Sequence, residues 1–121
     1  RFALTLDQAN DGDPVLAVGR QLRHMAALSG SMLRNAVRAA DEMDPGLARA
    51  VLERDAELDA EFAAALRLVM TYVLQDHRFL RPTIDTIFAL KGLERIGDHA
   101  TNIAEQVLYM MGQDRQQADA A

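Results

Sequence analysis

Three times along this chain, apolar residues recur at alternating spacings of three and four for about thirty residues, and each run opens beside a proline. That spacing is the period of an α-helix with one face in a core. The first run is Val15, Val18, Leu22, Met25, Ser29, Met32, Ala36, Ala40 and Met43, with only Ser29 out of type. It follows the turn-forming stretch "DQANDGDP", which places Asp13 as N-cap and Pro14 at the first helical position. "EMDPG" ends it, and a second helix restarts at once, capped by Asp44 with Pro45 at its first position. That helix runs through Leu47, Val51, Leu58, Phe62, Ala65, Val69 and Tyr72 to about Gln75. "QDHRFLRP" breaks the pattern, because Pro82 disfavours helix at Arg81 and suits the first turn of a third helix. The third shows Ala89, Leu93, Ile96, Ala100, Ile103, Val107 and Met110, with Gly112 placed as the C′ residue after it.

Three such helices, each roughly 45 Å long at about 1.5 Å per residue and joined by short turns, predict an all-α fold: an antiparallel up-down-up three-helix bundle. Its expected span is residues 14–113, after a helix tail and linker at 1–13 and before a disordered C-terminal tail at 114–121. At 121 residues there is room for one modest core. The abundance of Ala, Leu and Met and the absence of Trp fit helices better than a sheet. The first residue is Arg1 rather than Met, and "RFALTL" reads as the end of a helix, so the chain is expected to be a piece of a longer one.

A formal net charge of -5 argues against a counterion-driven grip on nucleic acid or an anionic membrane, and favours cations or basic protein surfaces as partners. Without cysteine there are no disulfides and no thiolate metal sites, which leaves oxygen and imidazole ligands for any metal. No apolar run approaches the roughly 20 residues needed to span a bilayer, and no secretory leader opens the chain, so a soluble cytoplasmic protein is expected.

The polar residues of "LERIGDHATNIAE", residues 93–105, fall into an order. At 100° per residue, Leu93, Gly97, Ala100, Ala104 and Val107 cluster on one side, while Glu94, Asp98, Asn102 and Glu105 lie roughly 120° or more away. Glu94 and Asp98 are one turn apart, where like charges repel by about a few tenths of a kcal/mol. On the second helix the seam Ala48, Leu52, Asp55, Asp59, Phe62, Leu66, Met70 and Val73 carries two aspartates at apolar positions. Such acids reach solvent, find a basic partner among Arg54, Arg67, Lys91 and Arg95, or hold a cation between two helices. Gly97 on the core side permits close helix approach. His99 lies on a different face from Asp98 and reads as a packing or hydrogen-bonding residue, while His24 and His77 have no ligand spacing. Arg78 and Arg81, at the start of the third helix, read as a solvated basic turn in preference to an anion site.

The string "KGLERIGDHATNIAEQVLYMMGQD" strongly resembles the last helix of PhoU proteins, the bacterial regulators of phosphate uptake, whose acid-x-x-x-Asp signature sits in a similar context. "ERDAELDAEF", "MTYVLQD" and the first helix also look like that family, so the resemblance covers about residues 15 to 113. Members usually carry two three-helix repeats, arranged much like spectrin repeats, and this chain is similar to the second. The resemblance implies a cytoplasmic regulatory adaptor, not an enzyme, that represses phosphate uptake and the phosphate-starvation response; a homodimer is expected because an isolated half would pair to cover apolar surface normally buried against its partner repeat. It implies two partners, the phosphate-transporter ATPase and a membrane sensor histidine kinase. It also implies multinuclear iron or zinc held by carboxylates, with Asp55, Asp59, Glu94 and Asp98 as ligands by position and Asn102 one turn on as a supporting donor. Two other classes compete. A carboxylate-bridged metalloenzyme needs a Glu-x-x-His pair on each of two helices, and the chain has none. A metal-free dimerisation module would use the long Ala-rich faces alone.

Overall fold

The computed structural model describes residues 14–112. Along them run α1 (Pro14–Ala17), α2 (Gly19–Glu42), α3 (Pro45–Gln75) and α4 (Leu80–Met110), with a 3-10 turn at His77–Phe79 before the last. No strand occurs among the described residues, and α2, α3 and α4 each pack against the other two. This is the expected all-α three-helix bundle. The flanking segments 1–13 and 114–121, expected to be a linker and a tail, lie outside the described residues, as does the expected N-cap Asp13.

The joint between α2 and α3 follows the sequence closely. Asp44 is extended and its carboxylate accepts the Leu47 N–H at 3.1 Å, with Pro45 opening α3 where no backbone donor is needed. Met43 before it is left-handed, at φ 52 and ψ 49, and the Asp44 N–H returns to the Ala39 carbonyl at 2.9 Å, closing α2 by a Schellman-type bond. Gly112 after α4 also takes a positive φ of 72, as a C′ glycine should.

Two joints differ from expectation. The first helix is interrupted at Val18, whose φ of -101 and ψ of 8 leave the helical region although the Leu22 N–H still reaches its carbonyl at 2.8 Å. Gly19 follows with its weak helical preference, and the bend lays α1 against α3 and α4 while burying Val18 fully. The last helix begins at Leu80, two residues before Pro82, so Arg81 is helical despite preceding a proline. The 3-10 turn supplies the reason. Asp76 caps it by accepting the Arg78 N–H at 2.9 Å, and this delivers the chain already coiled into α4.

The core is made by Met25, Leu28 and Met32 from α2, Val51, Leu58, Ala65 and Val69 from α3, and Leu90, Ala100, Ala104, Val107 and Leu108 from α4. Ser29 is buried among them, its hydroxyl donating to the Ala26 carbonyl at 3.4 Å. A Cβ added to Gly97 would collide with Leu58 Cδ2 and stand 3.7 Å from Leu58 Cγ and 3.9 Å from Met32 Cε. All three helices therefore meet in one layer through the missing side chain of Gly97.

Three stability outcomes follow for urea denaturation. Gly97→Ala should cost about 1–2 kcal/mol, overpacking outweighing the gain in helix propensity. In a Leu58→Ala background the same change should cost nothing, because the colliding group is gone. Met43→Gly should raise stability by about 0.5–1 kcal/mol, since a left-handed backbone burdens any side chain.

Candidate functional site

The second-helix seam borders the core: Ala48 is buried, Leu52, Phe62 and Leu66 pack against the core, and the two aspartates stand at its edge. The buried stripe of α3 is Ala48, Val51, Leu58, Ala65 and Val69, whereas Asp55, Phe62, Leu66 and Val73 are only half-buried and Asp59 and Met70 are exposed. The seam is rotated away from the core axis and faces α4. That rotation explains how two aspartates occupy an otherwise apolar rhythm.

Position along the helices places the acids. Asp59 follows Leu58 and Asp98 follows Gly97, so each stands 100° around its helix from the contact of Leu58 with Gly97. Both are exposed, and Asp55 and Glu94, each one turn away on its own helix, are partly buried. Their fields overlap: burial, then the charges of Asp59, Asp98, Glu94 and Glu105, raise the Asp55 carboxyl above its ordinary range. Burial, then Glu94 and Asp98, raises Asp59. Asp55 Oδ1 is buried without a hydrogen-bond partner.

The charges of Asp59, Asp98, Glu94 and Glu105 are felt at Asp55, and those of Glu94 and Asp98 at Asp59, so the acids of α3 and α4 act on one another across the two helices. Glu94 is already engaged. Lys91 Nζ donates to its Oε1 at 2.9 Å and also stands 5.3 Å from the centre of the Phe62 ring across the groove between α3 and α4. Of the other basic residues expected to serve as partners, Arg54 reaches Glu57 at 3.8 Å. Asn102 is exposed on α4. Among the described residues no group of three or more acid or histidine side chains is arranged to hold a metal ion as it stands. The chemistry of the donors still suits one: carboxylates from two facing helices, mutually repelling, one with a stranded buried oxygen.

The opposite edge of α3 is neutralised differently. His24 Nε2 on α2 lies 3.1 Å from Glu57 Oε2 and 3.7 Å from Glu61 Oε1, tying α2 to α3. Nothing local to His24 shows which helix edge it meets, so its role is visible only in the fold. His99 is exposed, so of its two readings, packing or hydrogen bonding, packing does not hold. Its position 100° beyond Asp98 carries it past the groove to the outer surface. Arg78 binds Asp76 through Nε at 2.8 Å and through its second guanidinium nitrogen, so it serves the turn. These side-chain and backbone bonds from Arg78 push Asp76 down to about 2.

Residues 22–107 match the PhoU domain family. A phosphate-specific transport system accessory protein PhoU homolog of Xylella fastidiosa (strain 9a5c) is 43% identical over 98 residues, covering 81% of this chain and 42% of its own length. The protein of the same description from Rhizobium meliloti (strain 1021) is 39% identical over 93 residues, 77% of this chain and 39% of its own length. That of Caulobacter vibrioides (strain NA1000 / CB15N) is 39% identical over 107 residues, 88% of this chain and 45% of its own length. The chain thus spans less than half the length of these relatives. No solved structure matches it significantly.

The raised carboxyls have a signed consequence. A group with a folded pKa above its unfolded one holds its proton longer in the fold, so Asp55 and Asp59 weaken the fold as pH rises through their raised values. In chelator-treated protein Asp55→Asn should therefore melt higher than the parent at neutral pH. The difference should close as the pH is lowered through the carboxylate range. Asp76 works the other way: its depressed pKa stabilises the turn at neutral pH and is lost as pH falls toward about 2.

Proposed function

This chain belongs to the PhoU family, and we propose that it is part of a cytoplasmic regulatory adaptor that represses phosphate uptake and the phosphate-starvation response. The adaptor couples the phosphate-transport ATPase to a sensor histidine kinase, as a homodimer and without catalysing a reaction. The observation that carries this reading is the match of residues 22–107 to the PhoU domain, together with relatives described as phosphate-specific transport system accessory proteins. No helix among the described residues is long and apolar enough to cross a membrane.

Within the adaptor, Asp55 and Asp59 of α3 and Glu94 and Asp98 of α4 hold iron or zinc. A bound cation supplies positive charge to a groove that has too little of its own. The stranded Oδ1 of Asp55 supports this, as does the mutual repulsion that raises Asp55 and Asp59. The protein's own residues do the rest: Leu58 against Gly97 holds the two edges together, and the ammonium of Lys91 keeps Glu94 turned toward the groove. A metal-binding regulator is favoured over a metalloenzyme because oxygen chemistry in a helical bundle relies on Glu-x-x-His pairs, which this sequence does not contain.

Two measurements test the two parts. Deleting the gene should raise expression of phosphate-starvation genes in high phosphate, and undiminished repression would sink the adaptor reading. Protein purified without chelator or histidine tag should carry stoichiometric metal by mass spectrometry and lose it in an Asp59→Ala, Asp98→Ala double variant. Equal metal in both would remove the carboxylates from the site.

A further inference from the structure

A basic side chain stands among the acids. Lys91 lies three residues before Glu94 on α4 and donates from Nζ to Glu94 Oε1 at 2.9 Å. The same ammonium is 5.3 Å from the centre of the Phe62 ring, which belongs to α3 and lies three residues beyond Asp59. In an antiparallel pair those two offsets fall at one level, so Lys91 reaches from α4 to α3 about one turn from Asp59 and Glu94. A lysine on a surface helix is usually a mobile point charge, and an i, i+3 pair alone contributes little. This one has two anchors. Phe62 is half-buried and packed against the core, and the Glu94 side chain is only 19% exposed against 54% for Lys91. The face of the ring attracts the ammonium and leaves its hydrogen bonds free for the carboxylate.

We propose that Lys91 sets the metal affinity of the four carboxylates: its ammonium competes with a bound cation for Glu94 and raises the metal concentration at which the acids are filled. This rests on the metal reading and adds the residue that tunes it. Glu94 has two claimants. Without metal, Lys91 supplies it with positive charge and offsets part of the repulsion that Asp55 and Asp59 feel from it. A divalent cation that takes Glu94 as a ligand must displace the ammonium or sit beside it, and like charges a few ångströms apart repel. Both routes cost affinity. Lys91 is a positioning residue for Glu94 and not a ligand itself, since an ammonium has three donors and no lone pair for a metal. A neutral group that braces a metal ligand acts with the opposite sign, because its loss weakens binding. The full positive charge of Lys91 is what makes it a competitor.

The test is zinc affinity, measured on the full chain freed of metal by competition with a chromophoric chelator. Lys91→Met and Lys91→Gln, which remove the charge, should each bind zinc at least about tenfold more tightly than the parent. Lys91→Arg, which keeps a cation able to stack on Phe62, should stay within about threefold of it. Arg95→Met, which removes an exposed charge 100° further around α4 than Glu94, should also stay within about threefold, and the gain at Lys91 should shrink as salt is raised. A lysine that merely braced the two helices would lower the melting temperature when replaced and leave zinc affinity where it was. Unchanged or weaker zinc binding in both uncharged variants, or an equal gain in Arg95→Met, would overturn the proposal. So would a gain that persists in an Asp59→Ala, Asp98→Ala background, since the zinc would then lie elsewhere. Zinc bound by neither parent nor variants would sink the metal reading and this inference with it, whereas zinc bound equally by the parent and the uncharged variants would sink this inference alone.

Discussion

The contact of Leu58 with the bare backbone of Gly97 governs how near α3 can lie to α4. Every other feature of the groove inherits that distance. Leu58 is fully buried, Met32 closes the layer from α2, and no side chain can be added at position 97 without moving Leu58. A glycine inside a long helix costs about 1 kcal/mol in propensity relative to alanine. The dispersion and hydrophobic gain of a leucine seated against the neighbouring backbone offsets it.

The same contact explains why acids can gather. Asp59 and Asp98 each follow a member of that pair, so one helical step carries them from a buried contact to the exposed surface beside it. Proximity that favours the core is unfavourable for the carboxylates, and the raised Asp55 and Asp59 record that conflict. A fold that keeps repelling charges beside a buried contact is locally inconsistent, and such inconsistency is expected where function is placed. The far edge of α3 shows the ordinary alternative: His24 bridges Glu57 and Glu61, and the acids there serve to join two helices.

Much of the fold was legible in the order of residues because its signals are local. The apolar period, the Asp44 cap with Pro45, and Gly112 after the last helix each act within a few residues of themselves. The misreadings share one cause, dependence on what lies across the bundle. The break at Val18 comes from α1 folding onto α3 and α4, and the early start of α4 from the Asp76 turn that precedes it. The seam through Asp55 and Asp59 has a helical rhythm as good as that of the true core stripe. Periodicity ranks faces of one helix without telling which of two adjoining apolar stripes meets the centre.

Residue types and spacings settled that the chain would be three long helices, that Gly97 would sit on the core side, and that Asp55, Asp59, Glu94 and Asp98 would stand in pairs one turn apart. These are properties of a single helix, whose geometry is the same wherever it packs. Tertiary packing decided which pairs act on one another, which carboxylates find a base, and which apolar residues remain at the surface. Those outcomes depend on the rotation of each helix about its own axis, and only the simultaneous fit of all three side-chain surfaces selects that rotation.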